Sequence, residues 1–418
     1  MLSLAQATAA VLADVEALPP ERIRLEDAFG RVLATAQRAP LTLPAWDNSA
    51  MDGYAVRAAD VWGATPDAPV RLRVLETVAA GRLPARPVGP SEAVRIMTGA
   101  PMPVGADCVV RVEDTDGGTD VVVVRDGRDA GRNVRPRGED VHEGEVALPA
   151  GTRLDGAQLA LLASLGCTHV SVTRFPRAAV LGSGDELVPA HRAVEARTSA
   201  RVVASNGHAL LAAIRRDGGL PLDLGIVPDD PAAIAERARD AESCDLLITT
   251  AGASVGAFDY TQRALGALAL ELAFWRVAVR PGAQTAFGRL RALGGMRWLG
   301  LPGNPVSAQV TYELFARPLL RRLLGHANPH RASVPVTLDA PVRTPGGVTH
   351  LLRAVVRVRD DGFHATPTGP QGSNLLTSTA RANALLVVPP ETPRLEAGAR
   401  LQALPLGDDL LHAAEPCW

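Results

Sequence analysis

The spacing of apolar residues changes character along the chain. At the start, Leu4, Val11, Leu12 and Val15 recur at helical intervals, with Asp14 and Glu16 on the other side. This predicts an amphipathic helix over Ser3–Ala17 with Ser3 as its N-cap. Glu26–Ala34 predicts a second short helix. Val70–Val78 and Ala93–Val112 then alternate apolar with polar or Arg positions, and Val121–Val124 is a further short run. Those are half-buried strands, so 46–137 reads as β-rich. Asp155–Leu165 returns to helical spacing.

From Arg174 a different rhythm sets in. Ala178–Leu181, Leu222–Val227, Leu246–Ile248 and Arg297–Leu301 are short apolar runs of the kind buried on both faces of a sheet. Predicted helices follow them: from Val202–Asn206 to Arg216, Pro231–Ala241, Thr261–Leu270, and from Ser307 to Leu324. Strand, small-residue loop and helix in repetition imply a mainly parallel sheet whose ligand sits outside the strand C-termini. After Ser333 short alternating segments return at Val334–Leu338, Leu352–Val358 and Ala384–Val388. The expected fold class is multidomain α/β plus β. It has a central mainly parallel α/β sheet domain, a β-rich inserted domain, a helical or mixed discontinuous domain and a small C-terminal β domain. The expected boundaries are 1–45 with 138–172, 46–137, 173–326 and 327–418.

Composition narrows the function. A chain of 418 residues, 47% hydrophobic and 21% charged, suits a globular protein of about two to four domains. A net charge of −2 gives no basic surplus for nucleic acid. All 43 basic residues are Arg, so every side-chain cation other than His is a guanidinium that keeps its proton. Cys108, Cys167, Cys244 and Cys417 lack metal-ligand spacing and read as incidental thiols in a reducing compartment. Met1–Leu18 lacks signal architecture, and no run reaches about 18 uninterrupted apolar residues. A cytoplasmic protein without a membrane span is expected.

Candidate chemistry lies in the loops. After Leu246–Ile248 come Thr249, Thr250 and the small, Gly-punctuated Ala251–Gly256, then Asp259 in an expected turn. Such a loop brings backbone N–H groups close to a phosphate, or is an ordinary strand-to-helix turn. Pro44–Val56 is dense in polar side chains around Asp47 and Asp52, and a second turn-rich stretch surrounds Thr98. Each is a ligand site or a self-capping turn. Gly131–Asp140 gathers Arg132, Arg135 and Arg137 with Glu139 and Asp140. It is a surface ion-pair cluster, or Arg137 borders an anion site. Asp229 reads as a helix N-cap before Pro231. Thr368–Asn374 is the C-terminal loop built for contacts.

Together these stretches resemble the molybdopterin molybdenumtransferase family, the bacterial relatives of the gephyrin C-terminal domain. The carriers are Asp47-Asn-Ser-Ala-Met-Asp-Gly-Tyr54, Ile96-Met-Thr-Gly-Ala-Pro101, Arg137-Gly-Glu-Asp140, Gly184-Asp-Glu-Leu187 and Ser205-Asn-Gly207. They continue with Gly252–Gly256, Asp259-Tyr260, Arg280-Pro-Gly282, Leu301-Pro-Gly-Asn-Pro305 and Gln371-Gly-Ser373, in family order. The resemblance implies a homodimer of four-domain subunits. It implies that adenylylated molybdopterin and molybdate are converted to Mo-molybdopterin and AMP, with Mg²⁺ and with transient contact to upstream cofactor-synthesis enzymes. The site would lie between the α/β domain of one subunit and the β-rich domain of the other. Asp52, Thr98, Glu186 and Asp259 would be catalytic, and Asp229 and Asp259 metal-associated. Ser205, Asn206, Gly252, Ser254, Gly256, Arg276, Arg280, Ser307, Arg353 and Ser373 would bind pterin, phosphate or oxyanion.

The chain departs from the family pattern at Ala251, Ala257, Ala283 and Gln284. Ala283 stands where a second basic residue is usual, so one expected molybdate contact is missing and the choice between molybdate and tungstate is open. Alternative functions are a dimeric docking module on the same scaffold, a diverged paralogue handling another oxyanion, and an adenylyltransferase of the related α/β fold. The two β-rich regions argue against the last.

Overall fold

The computed structural model describes residues 1–251 and 255–407, and of residues 251 and 255–259 the backbone alone. The chain forms two compact units. The larger takes Met1–Glu21, Gly30–Ala34 and the chain from Val172 onward, and the smaller Arg22–Phe29 and Thr35–Ser171.

The larger unit is built on a six-stranded sheet. Leu220–Val227, Arg177–Ser183, Leu246–Ala251 and Met296–Pro302 lie side by side and parallel, followed by antiparallel Ala286–Leu290 and Leu270–Trp275. The apolar run Leu246, Leu247, Ile248 is fully buried because successive side chains enter opposite layers. Leu246 and Ile248 meet Leu210, Ile214 and Phe315 on one face. Leu247 meets Ile234, Ala235 and Ala264 on the other. Helix Leu4–Leu12 adds Ala7 and Val11 to the first layer and is N-capped by Ser3 as expected, but it ends at Leu12 rather than Ala17, with Asp14 at φ +54° just beyond.

Strand order reverses between Arg177–Ser183 and Leu246–Ala251, since their chain successors lie on opposite sides. Ligands of open α/β sheets bind in the crevice at such a reversal. Beyond the sheet, Val334–Leu338, Thr349–Arg359, Gly362–Pro367, Ala384–Val388 and Arg400–Pro405 form a sheet that closes through the pairing of Thr349–Arg359 with Ala384–Val388. Short strand Val279–Arg280 joins it in parallel register, with Arg280 opposite His350.

The smaller unit holds a five-stranded sheet in the order Cys108–Arg111, Gly53–Val56, Glu92–Ile96, Val70–Val78, Val121–Val124. Gly53 is required there, because a Cβ would stand 2.0 Å from the Val110 carbonyl oxygen. Helix Gly156–Ser164 starts from the capping box of Asp155 and Gln158. Cys108 is a buried free thiol, and burial pushes it up to about 11. No helix among the described residues is long and apolar enough to cross a membrane.

Three further local expectations are corrected. Glu26–Ala34 is not a helix: a single 3-10 turn, Leu25–Asp27, ends before Gly30, whose φ of +74° is incompatible with helix continuation. The helix expected at Thr261–Leu270 runs instead over Val255–Gly266. Asp259 therefore lies in a helix rather than a turn, and Ala269 at φ +53° turns the chain into strand Leu270–Trp275. The cap of helix Pro231–Arg239 is Asp230, which accepts from the Ala233 N–H at 2.9 Å, and not Asp229.

Candidate active site

Two groups of functional side chains form in the larger unit. The first stands at the C-terminal ends of the parallel strands. Strand Arg177–Ser183 runs into Gly184, Asp185 and Glu186, and strand Leu220–Val227 into Asp229. Asp185 accepts a hydrogen bond from the Asp229 backbone N–H at 3.2 Å. Ser183 hydrogen-bonds the Asp229 carboxylate. Burial, then the charges of Glu186 and Asp185, nonetheless raise the Asp229 carboxyl above its ordinary range. Its Oδ1 is buried without a partner. The Glu186 carboxylate lies over Gly184, 2.7 Å from where a Cβ would stand.

Asn206 opens helix Asn206–Arg216 and donates through Nδ2 to the Gly303 carbonyl at 2.7 Å, while its Oδ1 is buried without a partner. Ser205 is the N-cap of that helix and makes no side-chain capping bond. Gly252 and Ser254 lie outside the described residues, as do the Asp259 side chain and everything at Gly256 beyond its helical backbone.

The second group lines a cleft of about 1000 Å³ between the α/β sheet and the closed β-sheet. Its walls carry Arg280, Ala283, Ser307, Arg343, His350, Arg353 and Ser373, with no Asp or Glu among the lining residues. Arg353 is fully buried. Its Nε donates to Ser378 Oγ at 3.0 Å and its Nη2 to the Gly372 carbonyl at 2.9 Å, while Nη1 has no partner. No carboxylate pairs with it among the described residues, and burial alone lowers its pKa. A buried guanidinium without a counter-charge is costly, and an anion supplied from solution offsets that cost.

Ser307 is buried, and Ser373 accepts the Val306 backbone N–H through its carbonyl at 3.1 Å, tying the two serine segments together. Gly282, at φ +110°, sits where a Cβ would meet Thr311 Cγ2 at 2.2 Å, so the loop after Arg280 is held against helix Pro305–Thr311.

The cleft thus gathers Arg280, Ser307, Arg353 and Ser373. Arg276 is not among its lining residues. That residue has φ +73° and stacks its guanidinium 4.4 Å from the Trp275 ring centre. Arg343 and His350 were missed by sequence reasoning. The strand expected from Leu352 begins at Thr349, and the pairing that sets His350 beside Arg280 leaves no trace in local periodicity.

In the smaller unit, Asp52 and Thr98 are exposed and bonded to each other. The Asp52 carboxylate accepts from the Thr98 N–H and Oγ1, each at 2.7 Å, which holds it below the usual carboxylate range. The Arg132–Asp140 stretch forms no internal ion pair among the described residues. Instead the Arg137 N–H donates to Asp47 at 2.7 Å and its Nε to the Ala45 carbonyl at 3.2 Å, bracing the polar loop.

Residues 2–166 match the family model described as MoeA N-terminal region (domain I and II), residues 179–322 that of a "Probable molybdopterin binding domain", and residues 335–406 that of MoeA C-terminal region (domain IV). The chain is 38% identical over 398 residues to Molybdopterin molybdenumtransferase 2 of Mycobacterium tuberculosis, with 93% of this chain and 95% of that protein covered. It is 35% identical over 389 residues to Molybdopterin molybdenumtransferase of Bacillus subtilis, covering 92% and 89%. The solved molybdopterin biosynthesis moeA protein of Pyrococcus horikoshii OT3 superposes with a TM-score of 0.83 at 26% identity, over 97% of this chain and 100% of that one.

Proposed function

The chain belongs to the molybdopterin molybdenumtransferase family, and from that premise we propose that it inserts molybdate into adenylylated molybdopterin with release of AMP. The observation that carries the proposal is Arg353: a buried cation with an unpartnered Nη1, in a cleft whose lining has no acid. A tetrahedral dianion matches such a site, because guanidinium donors grip oxyanions through charge-assisted hydrogen bonds. Arg353 and Arg280 bind molybdate, and the Ser307 and Ser373 hydroxyls orient its oxygens.

The pterin, its pyrophosphate and the adenylate lie along the strand C-termini, held by Ser205, Asn206 and the backbone of Gly252, Ser254 and Gly256. The orphaned Asn206 Oδ1 supports this, as a buried acceptor that lacks a donor within the chain. Arg276 approaches the anionic substrate from its stacked position on Trp275. Glu186 and Asp259 supply the acids beside the scissile pyrophosphate. Cleavage is mostly positioning and electrostatic stabilisation.

Mg²⁺ is part of the proposal. It keeps several waters and takes only one or two carboxylates. Asp229 fits, with one buried oxygen unpartnered and two acids nearby. Among the described residues no three acids, His or Cys converge into a closed cage. When bound, the cation would neutralise charge on the pyrophosphate oxygens.

The protein acts as a homodimer in this scheme, with Asp52 and Thr98 contributed by the second copy, and it receives substrate through transient contact with upstream enzymes. The four-part division at 1–45 with 138–172, 46–137, 173–326 and 327–418 is supported by separate apolar clusters around Tyr54 and around Leu386. Purified protein incubated with adenylylated molybdopterin and Mg²⁺ should release AMP on addition of molybdate, and Asp259→Ala should not. AMP release independent of molybdate, or retained by the variant, overturns this assignment.

A further inference from the structure

Of the charged and titratable side chains lining the oxyanion cleft, His350 alone is not an arginine. It is 4% exposed, and its Nε2 is buried without a partner. It lies opposite Arg280 in the strand register and lines the same cleft as Arg353 and Arg343. The other strand paired at this point offers only Val388, and the Gly372–Asn374 segment brings no titratable group. Met1 also lines the cleft and brings the α-amino group, which the His350→Gln variant leaves in place.

A hydrogen bond to the Gly346 backbone uses the other ring nitrogen. With Nε2 left without a partner in the chain, the neutral imidazole carries its lone pair there. A lone pair repels an oxyanion, whereas a protonated Nε2–H donates to it. We propose that His350 is a further anion-binding residue and that oxyanion binding in this cleft takes up a proton onto His350 Nε2. This rests on the cleft being the molybdate site.

In the empty protein, burial and then the Arg280 charge hold the His350 pKa below 6.5. A bound dianion favours the imidazolium and raises it. Between the two values each anion brings a proton with it, so affinity climbs as pH falls through the bound-state value and levels off below the empty-state one. The gain cannot exceed about tenfold per pH unit for one proton. The imidazolium supplies in this chain a cation that position 283, an alanine, does not.

The test is calorimetric titration of the full-length protein with sodium molybdate at pH 7.0, in buffers of differing ionisation enthalpy, repeated from pH 6.5 to 8.5. The wild type should take up up to about one proton per anion. His350→Gln, which keeps a donor but does not titrate, should bind with no proton uptake and a flat pH profile. Arg353→Met is run in parallel. Measurable wild-type binding without proton uptake overturns the proposal, whatever the folding of the variants. So does His350→Gln retaining wild-type uptake; if Arg353→Met then loses binding, only the proton assignment falls. Equal binding by wild type and Arg353→Met, or none by wild type, removes the cleft assignment itself and this proposal with it.

Discussion

Replacing Arg353 by methionine separates a ligand cation from a structural one. The guanidinium makes two internal bonds, to Ser378 Oγ and the Gly372 carbonyl, and leaves Nη1 free to donate. Ser378 keeps its own donation to the Leu375 carbonyl at 2.7 Å, so its hydroxyl is not orphaned in the variant. Losing the two internal bonds costs roughly 1 kcal/mol each. Replacing a buried, unpaired charge by an apolar side chain removes a desolvation cost of roughly several kcal/mol. The empty variant should therefore melt no lower than the wild type, to within a few degrees.

Molybdate affinity behaves differently. One hydrogen bond to a charged group contributes about 1.5–3 kcal/mol, so Kd should weaken roughly ten- to hundredfold. Calorimetry measures the affinity, and thermal unfolding with and without molybdate measures the linkage. At a hundredfold excess over Kd the wild type gains about 2.7 kcal/mol, and the variant should gain only about 0.4–1.4 kcal/mol at the same concentration. Unchanged affinity, or collapse of the empty variant, would show that Arg353 serves the fold rather than an anion.

Ala283→Lys should lower the molybdate concentration giving half-maximal AMP release by about tenfold, about 1.4 kcal/mol, while Ala283→Leu should not; equal shifts in both would place position 283 away from the oxyanion. Asp229→Asn tests the raised carboxyl. Because the folded pKa exceeds the ordinary 3.8, stability from this group is present below 3.8 and lost as pH rises through the raised value. The Asn variant should accordingly melt higher than wild type at pH 7, with the gap closing toward acid pH, and a lower melting point at pH 7 would contradict the burial described. The protein should sediment as a dimer at micromolar concentration, with an interface above about 2,000 Å², and a fully active monomer would exclude a shared site.

Much of the α/β scaffold was legible because burial on both faces writes itself into sequence. Leu246, Leu247 and Ile248 can all be apolar only if layers cover both sides of their strand. What failed was decided by single dihedrals or by distant pairing. Gly30 stops a helix that composition alone would have continued, and a shift of one residue moves the capping role from Asp229 to Asp230. The Val255 helix start was hidden because Gly and Ala serve a loop or a helix turn equally well in a local window.

The cleft was half legible for the same reason. Arg280 and Ser373 sit in recognisable motifs and Ser307 lies just past one, but His350 enters only through its register with Arg280, a contact between residues far apart in the chain. That pairing matters most in a chain whose 43 basic residues are all Arg. Guanidinium groups stay charged across the physiological range, so the Arg side chains of this cleft give constant attraction for an oxyanion but no response to pH. A lysine at position 283 would have added another fixed charge. The alanine found there leaves His350 as the side chain through which protonation adjusts the cationic charge of the lining, and the acids stand apart at Asp185, Glu186 and Asp229. Under the proposed assignment, separating the signs in this way would let one unit hold a dianion in one place and a divalent cation in another without either neutralising the other's site.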